Sequence, residues 1–294
     1  MVVLRFVRNE NRGRQKTRKR EKDVLDNDKL ADGDMILEIE DAGFWKGRRR
    51  RGMPVSLGPS PVARLDYTGE GMKEEGAMAL QHFPYGDEEV SYLTSRDPIL
   101  GKVIADIGPL RREVHPDLYA SLVKCIVGQQ IATKAQETIW RRITDAMGEV
   151  TPEAVAACPD DALQQFGLSF RKVSYIKNST EQVLSGELDL EGLSSLSDDE
   201  VCRRLSALPG IGVWTAEMLM MFSLQRLDVL SWGDLAIQRG LRMVYHHRRI
   251  TPQLFAKYKR RYSPYGSVAS LYLWAVAGGA LEGMRDYAPK GKKK

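Results

Sequence analysis

Between residues 208 and 216 the chain reads Leu208-Pro209-Gly210-Ile211-Gly212-Val213-Trp214-Thr215-Ala216, two glycines around one apolar residue. Glycine tolerates positive φ and close backbone approach. A turn of this kind therefore aims the free N–H groups of a following helix at an anion, and the helix dipole adds to the attraction. Such a phosphate cradle needs a helix on each side. Upstream, Ser197-Asp198-Asp199-Glu200 fits a capping box, and Val201, Leu205 and Leu208 then share one helical face. Downstream, residues 218–222 are an apolar helical run. A nucleotide-cofactor turn must be weighed, because Gly210, Gly212 and Thr215 nearly satisfy GxGxxG. That motif follows a buried strand, whereas Arg203, Arg204 and the capping box mark the preceding segment as a helix. A glycine-rich turn that merely joins two packed helices stays open on these residues alone.

Helix punctuation recurs along the chain. His115-Pro116-Asp117 leads into Leu118, Leu122 and Ile126 at four-residue spacing; Gly128-Gln129-Gln130 interrupts, and a second helix carries Ile139 and Ile143 toward Gly148. Thr151-Pro152 and Thr251-Pro252 are cap-then-proline helix starts. No alternating strand pattern competes after Gly86, so an all-α fold is expected from there on. With 43% hydrophobic and 28% charged residues over 294 positions, the composition is that of a globular chain. No apolar run approaches the roughly 18 residues of a membrane-spanning helix, and no membrane partner is expected. The N-terminus lacks the apolar stretch and cleavage site of a secretory signal, so a cytoplasmic location is expected, nucleoid-associated if bacterial. Cys125, Cys158 and Cys202 lie far apart without a CxxC pair, which argues against a zinc knuckle, an iron–sulfur cluster or a disulfide framework. They are expected as small buried apolar side chains.

Residues 1–77 differ from the rest. They carry 17 Lys and Arg against 14 Asp and Glu, with basic runs at 12–22 and 46–51, and 52–76 is rich in Gly and Pro. Residues 35–39 fit one short strand, and little else there could bury a face, so this extension is expected to be largely disordered. Its basic runs read either as a nucleic-acid-binding arm or as a solvated tail. Met53, Met72 and Met78 are later initiators, and translation starting near Met78 is a third reading. The expected organisation is an extension over 1–77, a helical domain over 78–285 and a basic tail over 286–294.

Joined with Ser231-Trp232-Gly233-Asp234-Leu235-Ala236-Ile237, the glycine turn makes this chain one that resembles the helix-hairpin-helix DNA glycosylases, in particular the 3-methyladenine DNA glycosylase II group. Gly128-Gln129-Gln130-Ile131 and Ser263-Pro264-Tyr265-Gly266-Ser267, with the apolar run through Trp274, match as well. The resemblance covers residues 86–280. It implies an all-α helix-hairpin-helix DNA glycosylase fold, and a base-excision repair enzyme that hydrolyses the N-glycosidic bond of alkylated purines such as 3-methyladenine in double-stranded DNA. A monomer without a cofactor is expected. The rival is a non-catalytic helix-hairpin-helix DNA-binding module that uses the turn only as a backbone clamp.

The resemblance assigns Asp234 the catalytic role; read alone, that aspartate is equally a helix cap before Leu235-Ala236-Ile237. Superfamily members that also nick the strand carry a lysine directly before the Thr-Ala pair, to form a Schiff base. Trp214 stands there instead, which implies a monofunctional enzyme with no lyase step. Trp214 and Trp274 match pocket positions, and Tyr265 is expected nearby, where electron-rich rings would hold a cationic alkylated base. The bland alternative for all three is core packing. Met218 replaces an aromatic residue of better-known relatives, and Gln130 stands where their leucine wedge enters the base stack. Amides of Gly210, Gly212 and Thr215 are expected on the DNA backbone, and carbonyls of Ser206, Leu208 and Ile211 on a monovalent cation. No metal is assigned to the chemistry, and the four histidines receive no function.

Overall fold

The computed structural model describes residues 81–289, together with the backbone of 4–7 and 36–39. Leu4–Val7 (β1) and Ile36–Ile39 (β2) pair antiparallel, Leu4 opposite Ile39 and Val7 opposite Ile36. The strand expected at 35–39 is therefore present over 36–39, paired with residues 4–7. Otherwise the disorder expected over 1–77 falls on residues outside those described, as does the basic run 290–294.

From residue 81 onward the fold is helical, with one isolated bridge between His82 and Glu113 as the exception among the described residues. The helices are α1 (Asp87–Arg96), α2 (Pro98–Ile107), α3 (Leu118–Gly128), α4 (Thr133–Met147), α5 (Pro152–Ala157), α6 (Asp160–Gln165) and α7 (Phe170–Leu184). A 3-10 turn, Gly192–Ser195, precedes α8 (Asp198–Ser206), α9 (Val213–Phe222), α10 (Leu235–Tyr245), α11 (Pro252–Tyr262) and α12 (Gly266–Ala277). None of them is long and apolar enough to cross a membrane.

Local chemistry sets the boundaries. Asp117 accepts from Ala120 N at 2.9 Å to start α3, whose Leu118, Leu122 and Ile126 are all buried. Thr151 and Thr251 cap α5 and α11 ahead of their prolines. The capping box at α8 is only half formed. Ser197 Oγ accepts from Glu200 N at 3.4 Å, but the Glu200 carboxylate turns to Arg203 (2.6 Å) and Arg204 (2.8 Å) instead of reaching back. Two guanidiniums outcompete one amide, and their hydrogen bonds hold that carboxyl down at about 2.

The core is organised around α12, buried on nearly every side, as a helix with no charged residue and only two serines among small and apolar side chains allows. α10 crosses it closely at Gly240, where a Cβ would lie 2.4 Å from the Leu273 carbonyl oxygen. Only glycine permits that approach. The three cysteines are half-buried, not fully buried as expected, because each packs at the margin of the core. Burial pushes the Cys125 thiol up to about 11, which keeps it protonated and unreactive at neutral pH.

Candidate active site

The expected phosphate-binding turn is a helical hairpin. α8 ends at Ser206, Ile211 N donates to Leu208 O at 3.0 Å, Gly210 takes φ +82°, and α9 begins after Gly212. Tyr175 of α7 fills the space beside Gly210 so closely that a Cβ there would lie 2.3 Å from the ring. Gly212 caps α9 with no side chain, and the first α9 amide bonded within the helix is that of Ala216, to Gly212 O at 3.0 Å. By helix geometry the amides of Val213, Trp214 and Thr215 have no acceptor four residues back, so they are open to a ligand.

Asp234 lies at the N-cap of α10 and is 1% exposed. One carboxylate oxygen accepts from Ile237 N at 2.9 Å; the other accepts from Trp214 Nε1 at 3.0 Å. The cap and the candidate catalytic group are therefore one side chain, with its oxygens divided between helix and hairpin. Trp214, Met218 and Phe222 recur every four residues along one face of α9. At the far end, Trp274 of α12 stacks on Phe222 with ring centroids 5.9 Å apart, and Arg112 lies over the same ring at 5.9 Å. Trp274 is 7% exposed, and its Nε1 is buried without a hydrogen-bond partner among the described residues.

Tyr265 packs toward α1. Its hydroxyl donates to Glu88 Oε1 at 3.0 Å and its ring meets Tyr92 edge-on at 5.1 Å. Gln130 is exposed in the turn between α3 and α4, in the left-handed conformation with φ +57°. Next to it, Gln129 Nε2 donates to Gly210 O at 2.7 Å and ties that turn to the hairpin.

Three comparisons with known proteins agree with this geometry. Residues 123–264 match the HhH-GPD superfamily base excision DNA repair protein family. DNA-3-methyladenine glycosylase 1 of Schizosaccharomyces pombe is 31% identical over 183 residues, covering 60% of this chain and 80% of the yeast protein. The crystal structure of a DNA-3-methyladenine glycosidase from Bacillus halodurans aligns with TM-score 0.65 and 38% identity over 71% of this chain and 97% of that one. The chain belongs to the HhH-GPD superfamily. A solved structure of S. pombe 3-methyladenine DNA glycosylase in complex with abasic DNA aligns with TM-score 0.56 and 28% identity over 65% of this chain and 97% of its own. This chain is thus a DNA glycosylase of base excision repair, and the non-catalytic clamp is set aside.

Several residues around the candidate site of this glycosylase carry no sequence motif. Arg171 donates from Nε to Tyr175 Oη at 2.7 Å, which sets a guanidinium beside the hairpin. The segment between α9 and Asp234 is stitched to the start of α12. Ser263 Oγ donates to Asp228 at 2.5 Å, Gly266 N to Asp228 at 3.1 Å, Val229 N to Ser267 Oγ at 2.9 Å, and Ser270 Oγ to Val229 O at 2.9 Å. The Ser263-to-Ser267 motif therefore holds the backbone that delivers Asp234. Glu217 carries no motif either. It is the one acid of α9, and Ser231 Oγ donates to its carboxylate. An acidic residue inside an apolar helical run was the available signal.

Proposed function

We propose that this enzyme is a monofunctional glycosylase that releases alkylated purines such as 3-methyladenine from double-stranded DNA, acts as a monomer and leaves an abasic site. The observation that carries the reading is the buried Asp234 carboxylate, aligned by Trp214 at the start of the hairpin helix. A base inside a duplex cannot present its glycosidic bond to a buried carboxylate, so the nucleotide rotates out, at a cost of a few kcal/mol. Alkylation at a purine ring nitrogen makes the base cationic and a better leaving group. As the bond breaks, positive charge builds on the deoxyribose, and Asp234 stabilises it and orients and deprotonates the incoming water.

Trp214 and Trp274 supply electron-rich faces for the cationic base, each worth about 0.5–2 kcal/mol, with the Met218 thioether on the same helix face as Trp214. The unpartnered Trp274 Nε1 is a donor left for an acceptor on the extruded base. Tyr265 belongs to the mouth of the pocket in this reading. Gln130 fills the vacated stack by hydrogen bonding to the orphaned partner base. Its left-handed backbone, a strained state for a residue with a side chain, supports that role. The carbonyls of Ser206, Leu208 and Ile211 would hold a monovalent cation. Oxygen donors at the negative end of α8 fit such an ion, which would supply charge toward a DNA phosphate.

Randomly methylated duplex DNA tests substrate and reaction type together. The expected products are free methylated purines and DNA that breaks only on alkali treatment, with no covalent adduct on borohydride addition, because Trp214 offers no amine. An adduct, or release confined to unmethylated lesions, would overturn the reading.

Gly212 and Gly210 separate DNA contact from folding. Gly210→Ala forces a left-handed alanine against Tyr175 and should destabilise the fold by about 1–2 kcal/mol from the backbone alone. At Gly212 the backbone is extended, φ −87°, and a new methyl meets no atom within 4 Å. Gly212→Ala should keep its unfolding midpoint yet bind an abasic-analogue duplex about tenfold more weakly, since the methyl stands where the phosphate must approach. Urea unfolding and fluorescence anisotropy read the two effects.

A further inference from the structure

Glu217 sits in the middle of α9 between the buried Ala216 and Met218, one turn beyond Trp214. A carboxylate in such surroundings needs a partner. Its partner is the hydroxyl of Ser231, which is fully buried at 0% exposure. Burial raises the Glu217 carboxyl above its ordinary value. The Ser231 hydrogen bond and Lys259 oppose that rise, and the charge of Asp234 adds to it.

Ser231 opens the turn that ends at Asp234, and its carbonyl accepts from Asp234 N at 3.4 Å. α9 therefore grips one short turn at both ends. Trp214 holds the Asp234 carboxylate, and Glu217, three residues later on the same helix, holds Ser231, three residues earlier in the turn. α10 holds the end of the turn through the Ile237 N cap bond and α12 holds the segment before it at Asp228 and Val229; the Glu217 bond ties its opening residue, Ser231, to the helix that carries Trp214. We propose that Glu217 is a positioning residue, acting through Ser231 to fix the direction in which Asp234 meets the sugar and the water. The proposal rests on the catalytic reading of Asp234.

Full-length protein, single-turnover release of 7-methylguanine from methylated duplex, and affinity for a duplex with a tetrahydrofuran abasic analogue test it. Glu217→Ala and Ser231→Ala should each slow release by about 10- to 100-fold, the scale of a small misplacement of a reacting group, with analogue affinity unchanged. Combining them should be no slower than either alone, because both remove the same tie. Glu217→Gln keeps an oxygen that accepts from Ser231 Oγ and should bring the rate back to within about threefold of wild type. A merely structural defect would not show this rescue. Wild-type rates in Ser231→Ala, losses that add in the double variant, or a glutamine variant as slow as the alanine one would each overturn the proposal. If Asp234→Asn is inactive while Glu217→Ala and Ser231→Ala run at wild-type rate, the positioning role alone falls. If Asp234→Asn itself releases base normally, the reading of Asp234 falls and this role with it.

Discussion

Asp234→Asn is expected to lower single-turnover release of methylated purines by about 10²- to 10⁴-fold while leaving affinity for an abasic-analogue duplex within about threefold. The substitution is close to isosteric, so its effects can be traced atom by atom. Aspartate accepts from two donors, Ile237 N and Trp214 Nε1, through separate oxygens. Asparagine has one acceptor oxygen for those two donors, and its amide N–H faces one of them, a mismatch that costs about 1–3 kcal/mol of stability. That loss leaves the protein folded and the hairpin amides in place, so DNA binding survives. On the proposed reading, the chemical step loses the negative charge facing the developing sugar cation and the carboxylate that deprotonates the water. Equal release by wild type and Asp234→Asn would remove this carboxylate from the reaction; release that fails in step with DNA affinity would mean that the variant had lost its fold.

Much of this site could be read in advance because chemistry and local structure use the same residues. The capped α8, the turn through Gly210 and Gly212, and the α9 start are all encoded in the contiguous stretch 197–213, and the helical periods of α3 and α4 are equally local. Asp234 was legible both as a cap and as the acid of a known motif, and the structure makes it a cap that also binds Trp214. What escaped was long-range. Periodicity does not report that Tyr175, 35 residues before Gly210, closes around the hairpin, or that serines of α12 anchor the segment carrying Asp234. The Glu200 carboxylate shows the same limit at short range. Its spacing fits a capping box, but two arginines one turn along compete for it and win. Pattern names the possible partners, and their competition is decided in space.

Asp97 sets the second large effect, on stability. The carboxylate is 2% exposed and serves four donors. Oδ1 caps α2 through Ile99 N and Leu100 N, both at 3.1 Å, and Oδ2 accepts from Tyr245 Oη at 2.8 Å and Arg261 Nη1 at 2.6 Å. Tyr245 Oη also lies 2.6 Å from the hydroxyl of the fully buried Tyr262. One side chain therefore ties α2 to α10 and α11. Asp97→Ala should cost about 3–5 kcal/mol in urea unfolding, because it strands the Arg261 charge and the tyrosine hydroxyls and also removes a helix cap. Asp97→Asn should cost less, since its oxygen still caps α2, and combining it with Arg261→Gln should cost less than the sum of the two single changes. Tyr245 is the last residue of α10 and Asp234 caps its first turn, about 16 Å away along the helix axis. Asp97→Asn, assayed well below its unfolding midpoint, should therefore release methylated purines at the wild-type rate. A rate loss under those conditions would mean that α10 transmits strain along its length to the site.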